Sequence, residues 1–123
     1  MINKNRLIKI TQALLKINSV NPPGNEVKVA DYVAKDLKAI GLDVKLYSFA
    51  KNRPNVVATL RGTLPRAQAA KEAILITPHY DTVPFGDGWK FDPLGAQIKA
   101  GKIYGRGASD DKGNCAVGME VLH

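Results

Sequence analysis

The chain is poor in the residues that usually staple or wire a small protein together. It has one cysteine, Cys115, among 123 residues. No disulfide can close within it and no cysteine-rich zinc cage can form, which fits a reducing compartment. Histidines number two, His79 and His123, and the three glutamates, Glu26, Glu72 and Glu120, are nowhere adjacent. No apolar run approaches the ~20 residues that a membrane span needs. The start, MINKNRLIKITQALLKI, is basic and amphipathic, but Lys9, Gln12 and Lys16 interrupt its apolar residues and no small-residue cleavage site follows. The expectation is a soluble, cytoplasmic protein without a membrane partner. Internal repeats and low-complexity tracts are also missing.

What is present is globular composition, 45% hydrophobic and 24% charged. The formal charge of +7 invites a nucleic-acid reading. Yet the Lys and Arg residues are scattered over outward helix faces and turns, with no basic run interleaved with aromatics. Solvated surface lysines account for them, and no nucleic-acid partner is expected.

Periodicity predicts a helix over Asn5–Ile17, with Leu7, Ile8, Ala13, Leu14, Leu15 and Ile17 on one face. The turn formers of NSVNPPGNE stop it. Asn25 is placed to cap a second helix, Glu26–Ile40, and Gly41 to end it. Alternation predicts an edge strand at Asp43–Ala50 and another strand at Asn55–Gly62. Leu64–Lys71 reads as a loop. Ala73–Thr77, apolar on both faces, predicts a central strand. GAQIKAGKIYG reads as a hairpin turning at Ala100-Gly101, and a last helix begins at Asp111. The order predicts an α/β layered domain. That last helix carries no stop signal before His123, so the expectation is the front portion of a longer protein.

Two clusters carry chemistry. In PHYDTVP, extended backbone puts His79 and Asp81 on one side. A metal-bound histidine usually donates its second ring proton to an acceptor such as a carboxylate, so Asp81 is either that acceptor or itself a ligand. Taken alone, a His-x-Asp at a strand end more often just satisfies backbone groups. In YGRGASDDKGN, two glycines precede Asp110, Asp111 and Lys112. A dinucleotide loop wants glycine where Asp110 stands, and the Lys112-Gly113 order is reversed from a phosphate loop. Adjacent carboxylates beside small residues suit a divalent cation, while a helix cap at Asp110 or Asp111 is the structural alternative. Together the clusters place one His and up to three Asp at strand exits, where α/β sheets bind ligands.

HYDTVP, followed about thirty residues later by GRGASDDKG, resembles the M20-type zinc metallopeptidase and amidohydrolase family. That family includes acetylornithine deacetylase, succinyl-diaminopimelate desuccinylase, aminoacylase and glutamate carboxypeptidases. SVNPPGNE, RPNVVATL and GDGWKFDPLGAQIKAGKIYGRG resemble it in the same order, so the likeness covers nearly the whole chain. Pro78 and Leu94 depart from it, standing where a small residue and an aromatic are usual.

The resemblance implies an α/β/α layered catalytic domain with a central mixed sheet. Residues 1–123 would be its N-terminal portion, without the remainder of that domain or the lid and dimerisation domain. It implies His79 as a ligand of one metal, Asp81 as the catalytic-site residue that orients it, and Asp110 as a bridge between two Zn2+ ions, with Co2+ or Mn2+ as substitutes. Asp111 would follow through a bond that the family often keeps cis. The implied activity is hydrolysis of an amide in N-acyl amino acids or small peptides, with homodimerisation through the absent domain. The family's downstream Glu-Glu pair and late histidine have no counterpart here, so the segment alone is expected to be inactive. The competing expectation is a non-catalytic metal-binding or scaffold protein that retains the fold. A nucleotide-binding domain ranks third.

Overall fold

The computed structural model describes residues 1–63 and 73–123. Among the described residues, three helices and two small two-stranded antiparallel sheets make a mixed α/β fold. Helix α1 spans Lys4–Lys16, and the Asn3 side chain caps it by accepting from the Arg6 N–H at 3.1 Å. Helix α2 spans Val27–Ala39. It ends on Gly41 at φ 86°, with the N–H groups of Gly41 and Leu42 returning to the carbonyls of Lys38 and Leu37. This is the paired closure that a left-handed glycine permits. The start of α2 differs from expectation. Glu26, not Asn25, holds the capping position, and its side chain makes no cap bond. The carboxylate is drawn instead to Arg53, 3.2 Å away.

Strands β1 (Asp43–Ser48) and β2 (Pro54–Thr59) pair with Val44 opposite Ala58 and Leu46 opposite Val56. Val44, Val56 and Ala58 lean on the core, so one sheet face covers α2 and the other meets solvent. Strands β3 (Gln97–Lys99) and β4 (Lys102–Tyr104) form the expected hairpin. Its two turn residues, Ala100 and Gly101, both take positive φ, 50° and 73°, as a tight two-residue turn requires. Helix α3 spans Lys112–Val121.

The core sits where the three helices meet. Ile10 and Leu14 come from α1, Val29, Val33 and Leu37 from α2, and Cys115, Ala116 and Met119 from α3. An ion pair locks the start of α1 to the end of α3. Arg6 Nε lies 2.7 Å from Glu120 Oε2, and the Asn3 N–H donates to the other carboxylate oxygen at 2.5 Å.

The predicted central strand is not formed. Ala73–Thr77 makes no ladder with any described residue, and Ile74 and Leu75 stand 91% and 85% exposed. Apolarity on both faces marks a segment for burial, but burial as an inner strand takes a hydrogen-bonded neighbour on each side. No described strand lies beside it; an apolar groove of about 610 Å3 separates it from β2 and opens onto Met119 and Leu122. The layered central sheet is therefore not seen, and the loop expected at 64–71 lies outside the described residues.

Burial and the nearby Asp111 carboxylate push the Cys115 thiol up to about 11, so it stays protonated and covered at neutral pH. We expect a thiol reagent at pH 8 to label Cys115 only as fast as the chain unfolds; rapid labelling of the folded protein would contradict its placement in the core. Leu14→Ala, at a fully buried position, should lower the unfolding free energy by about 2–5 kcal/mol in denaturant titrations.

Candidate metal centre

Residues 78–84 are not held by a sheet, so other contacts place them. The turn after α1 supplies most of these. Val20 and Thr82 form a parallel bridge, in which the Thr82 N–H donates to Ser19 O at 3.0 Å and the Asn21 N–H to Thr82 O at 2.7 Å. The buried Ser19 hydroxyl donates to Tyr80 O at 2.6 Å. The Tyr80 hydroxyl in turn donates to Pro54 O at the start of β2. Burial, with the Glu26 charge next in weight, pushes the Tyr80 phenol up to about 12, which keeps it a donor. From the other side, the His79 N–H donates to Asp111 Oδ2 at 3.2 Å.

The second strand exit is held from beneath by Lys112, whose side chain is among the most deeply buried in the chain. Its ammonium donates to the carbonyls of Leu14 and Ile17, at 3.0 and 2.6 Å, in the last turn of α1. Carbonyls at a helix end run short of backbone donors, and Leu14 O otherwise takes only the Ile17 N–H at 3.2 Å, so one cation serves both. Burial pulls the Lys112 ammonium down to about 8. Gly107 lets the loop pass close above it. Its φ is 87°, and a Cβ there would stand 2.8 Å from the Thr82 methyl and 3.2 Å from Lys112 Cδ.

These two supports bring the predicted residues together. His79 Nδ1 lies 3.0 Å from Asp81 Oδ1, and His79 Nε2 lies 2.9 Å from Asp110 Oδ1. Burial pulls the imidazole down, but its hydrogen bonds to Asp110 and Asp81 outweigh that and hold it above an ordinary histidine. For Asp81, burial is outweighed by hydrogen bonds from Asn21 and His79, which keep its carboxyl below the usual range. Asp111 turns away. It occupies the capping position of α3 without capping it, since one oxygen takes the His79 N–H and the other accepts from Asn114 Nδ2. The Asp110–Asp111 peptide is cis. Beside the pair opens a cleft of about 400 Å3, lined by Asn21, His79, Asp81, Trp89, Arg106 and Asp110.

The arrangement fits two ligands of one metal ion. With Nδ1 held by Asp81, Nε2 is the ring nitrogen placed to coordinate, and it faces a carboxylate oxygen. Two donors of a tetrahedral zinc, each ~2.0–2.1 Å from it, lie about 3.3 Å apart. The observed 2.9 Å needs an opening of about 0.4 Å, the difference between a direct hydrogen bond and a shared cation. Among the described residues no third His, Cys, Asp or Glu joins them as a complete metal set.

Several supports escaped the sequence reading. Asn21, Ser19 and Gly24 lie in a stretch that reads only as turn formers, and Arg53 sits at the start of a strand motif. The one signal was their occurrence in segments that resembled the same family as the catalytic motifs. Arg106 makes no salt bridge among the described residues. It donates through Nη2 to Phe85 O at 2.8 Å and stacks on Trp89, 5.2 Å from the ring centroid. Trp89 lines the cleft and bonds the same carbonyl at 2.6 Å. His123 pairs with Asp36 on α2 at 3.1 Å, away from the cleft.

Comparison with known proteins bears on the family of the chain. Residues 75–123 match the model of peptidase family M20/M25/M40. Over 98% of its length the chain is 31% identical to N-formyl-4-amino-5-aminomethyl-2-methylpyrimidine deformylase of Halalkalibacterium halodurans, covering 29% of that protein. It is 34% identical over 97% of its length to succinyl-diaminopimelate desuccinylase of Wolinella succinogenes, covering 30% of it. A 35-residue stretch is 63% identical to putative dipeptidase YtjP of Bacillus subtilis, and covers 8% of that protein. The chain thus spans under a third of the length of these relatives.

Gly107→Ala should destabilise the chain by roughly 1–3 kcal/mol more than Gly101→Ala, because both take positive φ but only Gly107 is crowded. Equal losses in paired denaturation curves would show that the loop has slack above Lys112.

Proposed function

Because this chain belongs to the M20/M25/M40 peptidase family, we propose that it supplies part of the dinuclear metal site of an amide hydrolase. Residues 1–123 are then the N-terminal portion of a longer catalytic domain, the relatives being about three times its length. In the complete domain Ala73–Thr77 becomes an inner strand of a layered α/β/α sheet, which accounts for its apolar character on both faces. The observation that carries the functional reading is the His79–Asp110 contact at 2.9 Å, with the far ring nitrogen held by Asp81.

In this reading His79 Nε2 and Asp110 would hold metal, Asp110 being the carboxylate that would be shared between two Zn2+ ions, or Co2+ or Mn2+ in their place. When bound, the metals polarise the scissile carbonyl and make a water acidic enough to attack near neutral pH. The chain's own residues do the rest of the work described here. Asp81 accepts the Nδ1 proton of His79, which fixes the tautomer and leaves Nε2 free to coordinate. Asp111 holds the His79 backbone against α3, and Asn21 holds the outer oxygen of Asp81. Trp89 and Arg106 wall the cleft. The substrate class is N-acyl amino acids or small peptides. Partners are the substrate and a second copy through a domain outside this segment, in the cytoplasm, with no nucleic acid or membrane. Among the described residues no helix is long and apolar enough to cross a membrane.

The test is a metal count with an activity panel on the full-length protein carrying this chain. His79→Ala and Asp110→Ala are expected to lose bound zinc and hydrolysis of acyl-amino acids and dipeptides together. Unchanged zinc content in both variants would overturn the ligand assignment. Full zinc binding in the parent protein with no hydrolysis of any panel member would instead favour a non-catalytic metal-binding role.

A further inference from the structure

Two sequence motifs carry charged side chains not yet assigned a part in the site, PPGNE after α1 and RPN at the start of β2. They meet behind Asp81. Glu26 is 3% exposed, a depth at which a carboxylate needs a partner. Its partner is Arg53, which donates from Nε to Oε2 at 3.2 Å and brings Nη2 within 3.2 Å of Oε1. Oε1 is buried and receives no hydrogen bond of its own, so it engages Arg53 by charge alone. Glycine at position 24 leaves room for the contact. A Cβ there would sit 3.0 Å from Arg53 Nε and 3.2 Å from Glu26 Oε1, and its φ of 81° is one that side-chain-bearing residues avoid. The Glu26 N–H donating to Asn52 O at 2.9 Å closes the two segments on each other.

The same Nη2 that faces Glu26 also lies 3.6 Å from Asp81 Oδ2. That oxygen already accepts from Asn21 Nδ2 at 3.0 Å, while Oδ1 faces His79 Nδ1. The outer oxygen of Asp81 is thus hydrogen-bonded by an amide and faced by a guanidinium charge, and the inner oxygen is presented to the ring. We propose that Arg53, clamped by the buried Glu26 under Gly24, is a positioning residue for the metal site, acting through Asp81 on the orientation of His79. A guanidinium suits this place because its planar fork reaches two carboxylates from one fixed position, which a lysine does not. The assignment rests on the proposed metal role of His79 and extends it to two motifs outside the site.

The test measures zinc affinity by competition with a chromogenic chelator on the full-length protein, in Arg53→Met, Asp81→Asn and the double variant, with thermal unfolding followed in parallel. Asp81→Asn should weaken zinc binding about 10–100-fold. Arg53→Met, at a partly exposed pair, should weaken it about two- to fivefold. In the double variant the Arg53 effect should vanish, leaving the affinity of Asp81→Asn, because the two act in series. Arg53→Lys, the milder change, should fall between wild type and Arg53→Met. Unchanged zinc affinity in Arg53→Met with a lowered unfolding temperature would reduce Arg53 to a structural brace and overturn the proposal. Effects that multiply in the double variant would overturn it too. If Asp81→Asn itself binds zinc as tightly as wild type, the metal role of the His79–Asp81 pair falls first. Should Arg53→Met not fold, Arg53→Lys and its double with Asp81→Asn provide the same comparison.

Discussion

The site depends on a short piece of parallel pairing between the turn after α1 and the segment that follows His79. Two backbone hydrogen bonds join Ser19, Asn21 and Thr82, and a serine hydroxyl adds a third at Tyr80 O. Extended chain outside a sheet has no ladder to fix it, and an exposed histidine there would sample many positions. This pairing removes that freedom at the two residues flanking Asp81. The histidine then needs only one further hold, on its own N–H, and Asp111 gives it.

The charges around His79 alternate along a line, with Glu26, Arg53, Asp81, the imidazole and Asp110 each facing the opposite sign or a hydrogen-bond partner. The exposure is lowest at the far end of that line and highest at the cleft. Glu26 is nearly sealed, Arg53 and Asp81 are partly open, and Asp110 is 86% exposed. A cation would enter at the open end, where the ligands are hydrated and free to adjust, while the sealed end sets the geometry. This gradient suits a metal site, since desolvation is spent on the residues that orient and not on those that coordinate.

The sequence revealed different parts of the molecule to different degrees. Helical periodicity placed α1, α2 and α3, and the Gly41 stop and Ala100-Gly101 turn were legible because each needs positive φ. His79, Asp81 and Asp110 were legible because their residue types and motif context are unusual for strand exits. The Asn25 cap was misread by one residue: Glu26 holds the capping position, and its carboxylate goes to Arg53, 27 positions away. Ala73–Thr77 was read as a strand from its run of apolar residues, which reports a preference for neighbours without saying whether they are at hand. Local patterns also gave no hint of Lys112 beneath α1, since its partners are backbone carbonyls and no side-chain motif encodes them.

That lysine has a consequence for how the chain can change over time. The end of α1 and the loop bearing Asp110 share one ammonium, and Gly107 clears the space its stem occupies. The first helix and the aspartate loop are therefore inherited as a unit. A chimera that takes α1 from one relative and the loop from another must match the length and angle of the helix end to the reach of a single side chain. Substitutions near Leu14 and Ile17 will show epistasis with substitutions in the loop 95 or more positions later, although no contact between their own side chains is required.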